Sequence, residues 1–220
     1  MAQTTHSLTI ESAVSGLVIG FARHWLAIFN SLWGLYILLP LLAPILLHFG
    51  FDTSARVIYS VYSFACHQLP DHSYFFFSET FIPHVHELEA GGMKAGLHLM
   101  EQRHFIGNEI FGYKAAICQR DIAIYGSVFL GGLFFNFARH RLRPLNWMLF
   151  LLFLVPIGLD GTTQLFGLRE SNWWLRTLTG ALFGLAAVWI AYPHVETAMQ
   201  EVIEEESVLK ELRQRSQQKT

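Results

Sequence analysis

Charge is what this chain has least of. Asp, Glu, Lys and Arg together make up 15% of its 220 residues, where soluble domains carry about 25%. The average alone decides nothing, but its distribution, with the charges set between long charge-free blocks and in the tail, excludes a disordered chain, a nucleic-acid binder with a basic face and most soluble enzymes. The formal net charge of −2 points to no charged partner. Two cysteines are too few for a disulfide scaffold. No glycine-rich phosphate loop, GxSxG elbow or HExxH pair is present. No Lys or Arg precedes Arg23, and no small-residue cleavage site follows the first apolar block, so that block is not expected to be a cleaved leader.

What the chain has in abundance is apolar residues, 52% of the total, gathered in long charge-free blocks. About 20 helical residues cross the hydrocarbon of a bilayer. Trp25 to Phe49 is long enough, with Pro40 and Pro44 predicting a kink. Ala115 to Ala138, Leu145 to Leu168 (broken by Pro156) and Trp173 to Tyr192 make three more spans. Val57 to Leu69 is short for a span and reads as a re-entrant, interfacial or buried helix rather than a crossing one. The expected fold is all-α: a polytopic transmembrane helix bundle of about four spans, a short extra helix, a polar outer loop and a charged C-terminal helix. Residues 1–220 are read as a single integral membrane domain.

Three arginines in the turn Arg139–Pro144 should be cytoplasmic under the positive-inside rule. The loop over residues 78–114 is then extracytoplasmic and the tail over 194–220 cytoplasmic, in a multi-pass protein of the cell membrane. With four spans the N-terminus is inside; were Val57 to Leu69 to cross, there would be five and it would be outside. In both cases nearly every polar residue of the spans falls in the outer leaflet: Cys118, Arg120 and Asp121 open one span, Asp160 and Gln164 close the next, and Arg169 and Arg176 flank the outer turn. Cys66, His67 and Gln68 lie there too. Charges inside a membrane are costly and usually face a cavity or one another. The ten residues just named are the candidate site, either as docking ion pairs or as a polar pocket open to the outside.

Cys66 and Cys118 are expected to approach each other at the outer face. A disulfide, two free thiols and a metal site are all compatible with that placement. For a metal such as zinc the ligands would be Cys66, His67, Cys118 and Asp121. His84, His86, Glu87 and Glu89 read as solvated loop residues, as do His98 and His104. Gly180-x-x-x-Gly184 and the glycines at 126, 131 and 132 predict close helix packing within the chain. Val195, Met199, Val202, Ile203, Leu209 and Leu212 form a stripe in the tail, suggesting a helix through which the protein self-associates as a homo-oligomer. The lipid bilayer is the other expected partner; nucleic acid is not.

The set Cys66-His67-Gln68-x-Pro70-x-x-Ser73, Cys118-x-Arg120, Asp160-Gly161-x-x-Gln164, Gly167-x-Arg169 and Gly180 resembles the uncharacterised membrane family called domain of unknown function 2085. The resemblance spans roughly Arg56 to Tyr192. It implies a small bacterial or archaeal multi-pass protein and no particular activity. Many members look like C-x-R-C-T-G at the second motif, whereas here Asp121-Ile122-Ala123 follows Arg120; a carboxylate in place of a thiolate weakens but does not remove a zinc reading. A membrane-embedded enzyme or redox protein with an outer site, a transporter or small-molecule-binding subunit, and a structural subunit of a larger complex are the functional classes left. Polar groups confined to one leaflet suit a site better than a continuous pore.

Overall fold

The computed structural model describes the backbone of residues 2–217 and the side chains of residues 13–215. In chain order the helices are α1 (Ala2–His48), α2 (Asp52–Tyr62), a 3-10 turn (Pro70–His72), α3 (Val85–Ala90), α4 (Leu99–Gln102), α5 (Gln119–Ala138), α6 (Trp147–Leu165) and α7 (Trp173–Gln217). Three short strands, β1 (Phe75–Phe76), β2 (Gly107–Asn108) and β3 (Gly112–Lys114), lie among them. Among the described residues four helices are long and apolar enough to cross a membrane. At 1.5 Å per residue α5 and α6 measure about 30 Å, the thickness of the hydrocarbon, and α1 and α7 about 70 Å. The eleven residues of α2 reach only about 16 Å, so the short apolar stretch does not cross, as four spans require.

α1 and α7 therefore run past the bilayer together. Near the membrane edge Trp25 donates to Glu196 at 3.0 Å, and Arg139 meets the same carboxylate at 2.6 Å. Further out, Ser15 of α1 bonds Glu206 of α7. Span and charged tail are one continuous helix, and the first part of the tail stripe, Val195 and Met199, packs into the cluster around Trp25 and Phe135.

Glycine sets the spacing of α5 and α7. A Cβ on Gly180 would sit 2.9 Å from the Arg120 carbonyl, and one on Gly184 would overlap the Ile124 carbonyl and the Ser127 hydroxyl. The Gly-x-x-x-Gly stripe thus packs on this chain's own α5.

The prolines open the helices and other elements close them. Pro40 has no N–H for the Tyr36 carbonyl, which instead accepts the Tyr62 hydroxyl at 2.6 Å. Pro44 frees the Pro40 carbonyl, which accepts Ala116 N–H at 3.0 Å. Pro193 frees the Trp189 carbonyl, which accepts Leu145 N–H at 3.2 Å. In hydrocarbon an unsatisfied carbonyl costs several kcal/mol, so these bonds fix where α2, the β3–α5 link and the α5–α6 turn dock.

The region over 78–114, expected as a loop, is a folded cap. β3 pairs antiparallel with β1 (Phe75 opposite Lys114) and with β2 (Asn108 opposite Gly112). Phe75, Leu88 and Met93 form its core with Leu97, Phe105 and Phe111. Strands this short carry no alternating pattern that a sequence reading can detect. Gly112, at φ +90°, approaches the Phe76 carbonyl so closely that a Cβ would overlap it. Asn108 ties the turn by accepting from Phe111 N–H at 2.7 Å and donating to the Gly91 carbonyl at 2.6 Å. Glu87 and Glu101 cap the backbones of His84 and His98 at the starts of α3 and α4, so these two histidines serve as helix-start residues.

Candidate functional site

α2 ends at Tyr62, and one more turn, closed by Cys66 N–H to the Tyr62 carbonyl at 2.9 Å, delivers Cys66. Cys118 is the residue before α5. The two are buried and not bonded to each other, and Cys118 N–H donates to Cys66 Sγ at 3.2 Å. Both sulfurs and a His67 ring nitrogen lie within 4.8 Å of one another. That is the only such convergence of three or more Cys, His, Asp or Glu donors among the described residues, and Asp121 does not join it. His67 Nδ1 accepts Leu69 N–H at 3.1 Å, so the neutral ring carries its proton on Nε2. Ligation by either ring nitrogen exchanges this hydrogen bond, a cost of about 1 kcal/mol.

The scaffold beneath this group is polar and buried. Gln68 adopts φ +53°, in the left-handed region, a strain of about 1–3 kcal/mol. Its side chain holds it there, donating to the carbonyls of Tyr59 at 2.9 Å and Ala116 at 2.8 Å. It thus ties the Cys66 segment to the Cys118 segment. Lys114, fully buried, donates to the Gln68 and Arg103 carbonyls at 2.6 Å each. Tyr59 in turn bonds the Lys114 carbonyl. Ser73 caps the Leu69 carbonyl at 2.9 Å, and Gln119 links the Ser73 carbonyl (3.3 Å) to Arg176 (3.2 Å).

A second network stands beside the first. Arg120 donates to Asp160 at 2.5 Å and to Gln164 at 3.0 Å, and Arg169 donates to the other Asp160 oxygen at 2.7 Å. Gln164 reaches His72 at 3.3 Å, and the His72 ring centre lies 5.4 Å from that of His67. A continuous path of polar contacts therefore leads from Asp160 in α6 to the rim of the Cys66–Cys118 group.

Burial, then the nearby Arg176 cation, pushes His72 down to about 3. Its Nε2 lies 3.3 Å from Asp71 Oδ2, and with the ring neutral this contact is not an ion pair. The His67 ring is desolvated although the residue as a whole is exposed, and its pKa is lowered, with Asp121 opposing and three cations assisting. It is therefore neutral near pH 7, the form that binds metals. Hydrogen bonding with Cys66, then burial, raises Cys118 well above the usual thiol range. Burial pushes Lys114 down to about 7.

Of the ten residues the sequence singles out, Cys66, His67 and Cys118 converge, Gln68 scaffolds them, and Arg120, Asp160, Gln164 and Arg169 form the second network. Arg176 serves Gln119 rather than Asp160, and Asp121 acts on the site through its charge and through its backbone beside Cys118. Sequence reasoning missed Gln119, His72 and Lys114. Gln119 and His72 sit beside motif residues. Lys114 directly precedes the apolar run Ala115–Ile117, a signal that it enters the bundle rather than ending a loop.

A four-span helical membrane protein with a cysteine–histidine group and a buried ionic network at one end is the class these features define. The chain matches the family described as predicted membrane protein DUF2085 over residues 98–190. It is also 32% identical over 139 residues to an uncharacterised protein of Methanocaldococcus jannaschii, covering 62% of this chain and 67% of that one. The chain belongs to the DUF2085 family. No solved structure matches it.

Proposed function

We propose that the protein is a membrane-embedded metalloprotein whose Cys66, His67 and Cys118 hold a soft divalent ion, zinc foremost, at the outer face of the cell membrane. The observation that carries this reading is the convergence of two sulfurs and one imidazole nitrogen within 4.8 Å. Two thiolates and an imidazole are zinc donors, and three protein ligands leave a fourth position for water or substrate. Zinc bound there would supply a Lewis acid and an acidified water. The outer location rests on the arginines of the Arg139–Pro144 turn, which belong on the cytoplasmic side with the tail.

Metal analysis of protein purified without chelator tests this. About one zinc per chain is expected, lost in Cys66→Ser and in Cys118→Ser. Cobalt substitution should give sulfur-to-metal charge-transfer absorption that is absent from either cysteine variant. Metal-free protein that takes up neither ion would end the metal reading. The second reading is a redox dithiol. It is favoured by the Cys118 N–H bond to Cys66 Sγ, which holds the two cysteines side by side, and a reversible Cys66–Cys118 disulfide in protein from intact cells would establish it.

A further inference from the structure

A cavity of about 480 Å³ opens between the 3-10 turn, α3 and the start of α7. Its size falls in the range of small-molecule sites, about 300–1,000 Å³. Three polar atoms on its lining residues are buried and have no hydrogen-bond partner among the described residues: Asp71 Oδ1, Ser171 Oγ and Arg176 Nε. Ser171 is 4% exposed and Arg176 5%. Asp71 Oδ2 lies 3.3 Å from His72 Nε2, and Arg176 Nη1 donates to Gln119. A lone orphaned polar atom costs about 1–3 kcal/mol, and three on one cavity mark a wall built for something else.

The chemistry of the wall narrows the occupant. Arg176 and Asp71 are close enough to feel each other's charge, yet they form no ion pair. A guanidinium and a carboxylate thus belong to residues lining one cavity without meeting. Glu89 and Glu170 add two more carboxylates to the lining. The excess of acid favours a ligand cation, while the buried Nε and the Ser171 hydroxyl require an acceptor. Trp173 lines the cavity and, with Trp174, stands half-exposed at the head of a membrane-spanning helix, where tryptophans mark the headgroup level.

We propose that this cavity binds a net-neutral zwitterion carrying a primary ammonium and an oxyanion. The ammonium is taken by Asp71 with Glu89 or Glu170, and the oxyanion by the Arg176 guanidinium and Ser171. A free amino acid and the headgroup of an ethanolamine phospholipid share this chemistry. The site does not require a metal at Cys66, His67 and Cys118.

The test uses the full chain in phosphatidylcholine nanodiscs. L-serine, glycerophosphoethanolamine and glycerophosphocholine are titrated by calorimetry, and phosphatidylethanolamine is introduced into the discs in a separate arm. At least one primary-ammonium zwitterion should bind. Glycerophosphocholine, whose trimethylated nitrogen has no N–H to donate to Asp71, should bind at least tenfold more weakly. Binding of L-serine alone identifies an amino-acid site. A thermal shift with phosphatidylethanolamine and binding of glycerophosphoethanolamine identify a lipid site. Ser171→Ala should weaken the effective probe about tenfold while leaving the ligand-free protein as stable as wild type or more so, since the lost hydroxyl has no protein partner. Asp71→Asn should weaken the same probe at least tenfold. If no primary-ammonium zwitterion binds in any arm, if the choline compound binds equally well, or if Ser171→Ala destabilises the free protein without affecting binding, the cavity holds only water and the proposal fails.

Discussion

Asp160→Asn removes one charge and almost no volume, which makes it the most informative change in the second network. Asp160 is 2% exposed and divides its oxygens, Oδ2 to Arg120 at 2.5 Å and Oδ1 to Arg169 at 2.7 Å. Asparagine offers one acceptor and one NH₂, so one guanidinium is left facing a donor, and both lose their counter-charge. Removing one partner of a buried pair costs about 3–5 kcal/mol. The two arginines do not share that equally. The Arg120 side chain is 22% exposed and also bonds Gln164, whereas that of Arg169 is 44% exposed and solvent-screened. Exposed pairs are worth about 1 kcal/mol or less, so about 2–4 kcal/mol should reside in the Asp160–Arg120 contact. Reversible unfolding in detergent, run as two double-mutant cycles with Arg120→Met and Arg169→Met, measures both couplings. An Asp160→Asn cost below 1 kcal/mol, or a coupling to Arg169 larger than that to Arg120, would refute this account. If asparagine is silent and only Asp160→Ala destabilises, Asp160 is a hydrogen-bonding residue whose charge is irrelevant.

Two further outcomes follow from backbone satisfaction and from burial. Tyr62→Phe should cost about 1–3 kcal/mol, because the Tyr36 carbonyl freed by Pro40 loses its donor; in a Pro40→Ala background, where an alanine N–H can take that carbonyl, the same change should cost less than half as much, and equal costs in both backgrounds would break the link. Lys114, with its pKa pushed down to about 7 in the folded protein, holds fewer protons than in the unfolded chain between about pH 7 and 10.5. The Lys114 contribution to stability should therefore be flat below about pH 7 and rise above it, by at most about 1.4 kcal/mol per pH unit. Unfolding midpoints of wild type and Lys114→Met between pH 6 and 9.5 check the sign: the rise should be present in the first and absent in the second, and a fall in wild type or a rise of equal slope in the variant counts against it.

The spans were legible because lipid imposes one rule, a long charge-free helix, and the sequence obeys it four times. The grouping of Cys66 with Cys118 and of Asp160 with Arg120 was legible for the same reason. Once the spans are threaded alternately, residues distant in sequence must share an end. The cap was not legible. Its strands are two or three residues long, and its core of Phe75, Leu88 and Met93 draws single residues from scattered positions, so no period is repeated often enough to register. Arg176 shows the other limit. Threading assigns it to the correct end, but whether it reaches Asp160 or Gln119 depends on its position around the helix, one turn from Asn172, and on the close approach of α7 to α5 at Gly180.

Pro40 and Pro44 tie these observations together. In a lipid-facing helix two prolines one turn apart would be a liability, since each leaves a carbonyl without its donor. Here the two carbonyls are used. The Tyr36 carbonyl holds Tyr62, whose own carbonyl accepts Cys66 N–H. The Pro40 carbonyl holds Ala116, two residues before Cys118. The two cysteines thus hang from adjacent turns of one helix, each through a backbone group that only a proline could have released. Gln68 then ties the two segments together through the carbonyls of Tyr59 and Ala116. The sulfur–imidazole geometry is therefore set by the most regular element of the fold, at the points where its regularity is broken. A cysteine pair placed this way is held by bonds that lipid makes costly to lose, and this is the rigidity a metal or redox site requires.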